Sequence, residues 1–173
     1  DLTLPLPEAP LPPGWTATDD DPEGAASFVA EHFPGRWAEE LATYVAGGAR
    51  VVTVRRSQAG SPAEGFCVTF SGEEDVTSPG LHWDRALRAE IGGGRIGALG
   101  PLGVSADARG ERLVRHAAAS SARGGAAGAV LNWTTLGPFY GRLGARVVRA
   151  YQRCQVDLAA QAGDAGREQG GAK

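Results

Sequence analysis

The stretch from Arg95 to Thr135 constrains the fold more than any other part of the chain. "RIGALGPLGV" (95–104) is apolar and reads as a strand with a Gly-Pro disturbance at Gly100-Pro101. A helix is expected from about Arg109 to Arg123, closed by Gly124-Gly125. "GAVLNWTT" (128–135) then reads as a second strand. A strand, a helix and a strand in that order need a crossover, so the two strands should be parallel neighbours.

The remaining elements follow from local patterns. Trp15–Thr18 reads as a short strand. Asp20 or Asp21 should cap a helix with Pro22 at its first position and Phe28, Val29 and Phe33 on its apolar side. Pro34-Gly35 breaks that helix. Trp37, Leu41, Tyr44 and Val45 recur at helical spacing in a second one, which Gly47-Gly48 ends. "ARVVTVRR" (49–56) and "EGFCVTFSG" (64–72) form a hairpin about a turn at Ser57–Pro62. "LGPFYGRLG" (136–144) is a short helix around Phe139 and Tyr140, and "ARVVRAYQRCQVDLA" (145–159) is a long final strand. The predicted class is α/β with a mixed sheet: mostly antiparallel, with a central parallel pair and helices on both faces.

A length of 173 residues suits one core. We expect that domain over 15–158. Residues 1–14 carry five prolines and read as an extended lead-in, a linker or edge segment. Residues 159–173 form a polar, Gly-rich tail. A formal net charge of -3 argues against a nucleic-acid binder. No apolar run is long enough to span a membrane and no signal peptide is evident, so a cytoplasmic home is the default. Cys67 and Cys154 sit in apolar runs and read as packed free thiols, without a disulfide framework or a zinc pattern. The chain contains no Met, which fits a processed chain or one domain of something longer.

Two Gly-bearing segments invite a ligand. "GGGRIG" (92–97) matches a dinucleotide fingerprint literally, but a strand follows it where that motif needs a helix. It reads as a lead-in to the strand. "VSADARGERLVRHA" (104–117) is the stronger candidate. A helix start offers free N–H groups and partial positive charge, and Arg109, Arg112 and Arg115 add more. The macrodipole prefers acids there, so three arginines suit a bound anion. A solvated basic face paired with Asp107 and Glu111 explains them equally well. His32 and His116 have no partners at metal-ligand spacing and read as surface or packing residues.

The series "LGPLGVSADARGERL", helix, "AVLNWTTLGPFYGRLGARV" resembles the GNAT superfamily, the acyl-CoA-dependent N-acetyltransferases. With "FPGRW" (33–37) it is similar to bacterial GNAT domains found in tandem or fused to glycoside hydrolases. The resemblance covers about Trp15 to Val156. It implies a splayed central parallel pair, acetyl-CoA as donor and a primary amine of a small molecule as acceptor, such as an amino sugar. It places the coenzyme along Leu102, Gly103 and Val104, then Arg109, Gly110, Glu111, Arg112, Leu113 and Val114, with Asn132 and Phe139 near the arm. Backbone N–H groups near Leu102–Val104 would polarise the thioester, and Tyr140 would protonate the leaving thiolate.

Arg109 and Gly110 match the family pattern. Arg112 and Val114 stand where the family has small residues, and a side chain there crowds a phosphate's approach to the backbone. Either Arg112 pairs with phosphate instead, or the site is lost and the domain is non-catalytic, a structural or regulatory part of a larger or tandem protein. Glu73, Glu74, His82, Asp84 and Glu90 are candidate bases in the loop before the central strand. Trp37 is a candidate wall of the acceptor pocket, whereas Trp133 reads as core. No nucleic acid, membrane or metal is implied. A homodimer through the final strand is a further expectation.

Overall fold

The computed structural model describes residues 2–4, 10–72, 88, 93–106, 110–131, 134–148 and 150. In chain order the strands are β1 (Leu2–Leu4), β2 (Trp15–Asp19), β3 (Arg50–Arg56), β4 (Ala63–Phe70), β5 (Arg95–Val104), β6 (Ala126–Leu131) and β7 (Arg146–Val147). The helices are α1 (Pro22–His32), α2 (Arg36–Ala46), α3 (Gly110–Arg123) and α4 (Gly137–Arg142). One seven-stranded sheet runs β2-β3-β4-β5-β6-β1-β7. Every neighbouring pair is antiparallel except β5 and β6, which are parallel, as the crossover through α3 requires.

Alternation along the strands builds a core on each face. Val51, Phe66, Val68, Phe70, Ile96, Ala98 and Val130 meet Ala25, Phe28, Val29 and Leu41 of α1 and α2. Val52, Val54, Cys67, Leu99, Ala129 and Leu131 point the other way, onto Leu113, Val114, Ala117 and Ala118 of α3 and Tyr140 of α4. Small residues let α3 lie close. A Cβ at Gly97 would stand 2.3 Å from Ser121 Oγ and 2.4 Å from the Phe70 carbonyl oxygen, so only glycine fits there. Asp21 fixes α1 to the sheet: Oδ1 accepts from the Gly24 N–H at 3.0 Å, and Oδ2 accepts from Thr53 Oγ1 at 2.6 Å and from Arg55.

Two expectations change. The final strand is two residues long where described, Arg146–Val147, and 151–159, which includes Cys154, lie outside the described residues. Leu2–Leu4 is neither linker nor edge. It fills the slot between β6 and β7, antiparallel to both, with Leu2 opposite Leu131 and Val147. A three-residue run ahead of Pro5 is too short to show a strand period, and the prolines mask it. No helix among the described residues is long and apolar enough to cross a membrane.

Candidate active site

The site begins with one extra residue in β5. Against β4, Leu99 pairs with Thr69 but Leu102 pairs with Cys67, so β5 spends three steps where β4 spends two. The bulge falls at the Gly100-Pro101 disturbance read in the sequence. An added residue reverses the strand's phase. Leu99 and Leu102 therefore share the α3 face, and Gly103 turns to the α1–α2 face. There a Cβ on Gly103 would lie 2.7 Å from Phe33 Cε2.

The described parallel pairing reaches Leu99 opposite Leu131, and beyond it β5 pairs, among the described residues, with β4 alone, as far as Val104. The Ser105 N–H donates to the Glu64 carbonyl at 2.8 Å. N–H groups alternate sides along a strand, so Gly103 also points its N–H at β4. The N–H groups of Leu102 and Val104 point the opposite way, to the edge of β5 that no described strand pairs with.

The first turn of α3 lies beside the end of β5. A Cβ on Gly110 would sit 3.7 Å from Val104 Cγ2 and 3.9 Å from Phe139 Cζ. Gly110, Glu111 and Arg112 form the first described turn of α3, where backbone N–H groups face out of the helix end. Arg115 is spent on Glu111 at 3.3 Å. Arg112 Nη1 donates to the Pro10 carbonyl at 3.1 Å. Val114 and Leu113 are fully buried against the sheet. The side chain of Val114 therefore does not crowd the helix start, because its position belongs to the stripe that packs on the strands. Leu113 likewise offers no side chain to a ligand.

Tyr140 of α4 is 4% exposed and packs in the cluster that holds Cys67, with the Phe139 ring edge-on at 4.9 Å. Burial, with the Cys67 thiol beside it, pushes its hydroxyl up to about 12. Burial also pushes Cys67 to about 12, partly offset by the Gly100 backbone, which places this pair next to the bulge. Both groups stay protonated at neutral pH.

Other candidates sort plainly. Arg109, Asn132, Trp133, Asp107, Glu73, Glu74, His82, Asp84 and Glu90 lie outside the described residues. "GGGRIG" does run into strand β5 at Arg95. His32 stacks on Phe28 at 4.4 Å, and His116 Nε2 meets Asp19 Oδ1 at 2.9 Å. Among the described residues no three His, Cys, Asp or Glu side chains converge as metal ligands. Trp37 stacks on Phe33 at 4.7 Å, edge-on to Phe66, behind Gly103. Sequence reading missed Pro10 and Leu11, which reach Arg112 across 102 positions and carry no local signal.

Compared with protein-family models and with curated protein sequences, the chain matches none. Solved structures do match. One is the GCN5-related glucosamine N-acetyltransferase region of a fungal multi-domain GH3 beta-N-acetylglucosaminidase, at TM-score 0.67 and 18% identity over 84% of this chain. The chain spans 19% of that protein's length. Another is a Trypanosoma brucei acetyltransferase, at TM-score 0.51 and 16% identity, covering 82% of this chain and 99% of the other. With the mixed sheet and its one parallel pair, these likenesses show that the chain has the fold of the GCN5-related N-acetyltransferases, the GNAT fold.

Proposed function

We propose that the chain is an N-acetyltransferase that moves an acetyl group from acetyl-CoA to the primary amine of a small molecule by direct attack. One observation supports this reading: among the described residues β5 beyond Leu99 pairs with β4 alone, and its Leu102 and Val104 N–H groups point to the other edge, beside the first described turn of α3. The residues fit such a donor. A strand edge with N–H groups turned away from β4 suits an amide-bearing arm, and a helix start with Arg112 suits phosphate.

Acetyl-CoA, when bound, supplies an acetyl group activated as a thioester. Leu102 and Val104 hold the arm and polarise the carbonyl oxygen as charge develops on it. Gly110, Glu111 and Arg112 hold the phosphates, and Arg109 and Asn132 join the set from the sequence pattern. The amine nitrogen would bond to the acyl carbon and give a proton to water as the carbon–sulfur bond breaks. Tyr140 would give its proton to the departing sulfur and regain one from water, a role suited to a hydroxyl kept neutral by burial. An amino sugar is the acceptor we propose, supported by the glucosamine activity of the fungal neighbour. The aromatic wall of Phe33 and Trp37 backs that side of β5.

The test is acetylation of glucosamine, followed by release of free thiol. Wild-type protein should turn over. Tyr140→Phe should lose about a hundredfold or more in kcat, with the Kd for acetyl-CoA unchanged. Equal turnover by that variant removes Tyr140 from the chemistry. A wild-type protein that binds no acetyl-CoA is a non-catalytic GNAT-like domain.

A further inference from the structure

Arg112 is held in an unusual way. Its guanidinium bonds a neutral backbone carbonyl, that of Pro10, although it lies 102 positions away in sequence. No carboxylate pairs with it among the described residues. By contrast, Arg115, one turn on, is matched to Glu111. The carbonyl takes one of five N–H groups and fixes the direction of the fork without cancelling its charge.

The segment that supplies this carbonyl is itself seated. Leu11 packs against the core on the α3 face, where Leu11, Pro12, Trp15, Val54, Arg112 and Leu113 close around one small cavity. The Trp15 N–H donates to the Pro12 carbonyl at 3.2 Å, and the Ser57 N–H to the Gly14 carbonyl at 2.9 Å. On its other side the chain is anchored by β1, paired with Ala129–Leu131 of β6. The N-terminal segment thus touches β6 through β1 and the first turn of α3 through Arg112.

We infer that Pro10–Pro12 is a positioning element of the donor site: the Pro10 carbonyl orients Arg112 at the first turn of α3, leaving its other N–H groups to bond a phosphate. Ordering a long side chain in advance removes part of the entropy cost of gripping an anion. This inference rests on acetyl-CoA being the donor. It answers what a large residue does where small ones are usual: Arg112 replaces close backbone approach with a charged fork that the N-terminal segment aims.

The experiment is a double-mutant cycle of Leu11→Ala and Arg112→Gln. Two ligands are titrated calorimetrically: coenzyme A, and S-acetylpantetheine, which lacks the diphosphate. Arg112→Gln should weaken coenzyme A about tenfold and leave acetylpantetheine unchanged. Leu11→Ala unseats the segment without touching the phosphate end, and should weaken coenzyme A about threefold. Added to Arg112→Gln, it should weaken it no further. A Leu11 effect that persists in the Arg112→Gln background means the segment is packing alone and overturns the inference, as does unchanged or tighter binding by Arg112→Gln. Amide exchange of Leu11, Gly14 and Trp15 in the ligand-free protein is the second readout: Arg112→Gln should speed it, and an unchanged rate also overturns the inference. Wild-type protein that binds neither ligand overturns the donor reading and this inference together. Wild-type protein that binds coenzyme A no more weakly after Arg112→Gln overturns only the inference.

Discussion

The two halves of β5 behave as different structures. Arg95–Leu99 is paired along its length with β6, Ala98 and Leu99 also pair with β4, and α3 lies so close that Gly97 has no room for a methyl group. Beyond it, Leu102–Val104 pairs, among the described residues, with β4 alone. A single extra residue separates a core strand from a binding edge. Backbone N–H groups are costly to leave buried and unpaired, so an edge of this kind persists where water or a ligand satisfies it.

The largest way to break that contrast is to disturb the first half. Gly97→Val places carbon on Ser121 Oγ and on the rigid Phe70 carbonyl. It should cost about 3 kcal/mol or more, read as a shifted urea midpoint with an unchanged slope. A variant of ordinary stability would mean α3 does not press on β5 as described.

Disturbing the second half should cost less and report differently. Gly103→Ala meets the Phe33 ring at 2.7 Å, and a ring edge gives way more easily than a carbonyl. We expect about 1–2 kcal/mol and a change in tryptophan fluorescence as Trp37, stacked on Phe33, shifts. Loss as great as that of Gly97→Val would erase the difference between the halves.

A third test is pH dependence. Tyr140 and Cys67 are both raised to about 12, from ordinary values of 10.0 and 9.0, mainly by burial. The unfolded chain gives up these protons first as pH rises. Their contribution to stability is therefore complete below about pH 9 and lost progressively as pH climbs toward 12. Melting temperature should fall through that window, and less steeply in Tyr140→Phe. An identical slope in that variant would show the hydroxyl is not shielded. Below pH 9 Tyr140 should contribute no titration to kcat.

Much of this was legible in the chain. The order of β5, α3 and β6 followed from apolar runs and Gly punctuation, and the parallel pair followed from the crossover. Gly100-Pro101 announced an interruption of the strand, because neither residue suits an uninterrupted central strand. Asp20 or Asp21 with Pro22 announced α1, and Asp21 is the cap. What stayed hidden depends on tertiary contact. Leu2–Leu4 has no period to read, and its place inside the sheet is set by β6 and β7. Val114 was read by its place in a motif, although its helical phase with Ala117 and Ala118 assigns it to the core. The partner of Arg112 is a backbone carbonyl, which no side-chain pattern encodes.

The central claim is that the second half of β5 receives the donor, and amide exchange along β5 tests it most directly. With saturating acetyl-CoA, the Leu102 and Val104 amides should exchange more slowly, while Ile96 and Ala98, already paired with β6, should not change. Slowing confined to Ile96 and Ala98, or no change at Leu102 and Val104 with acetyl-CoA bound, would contradict it.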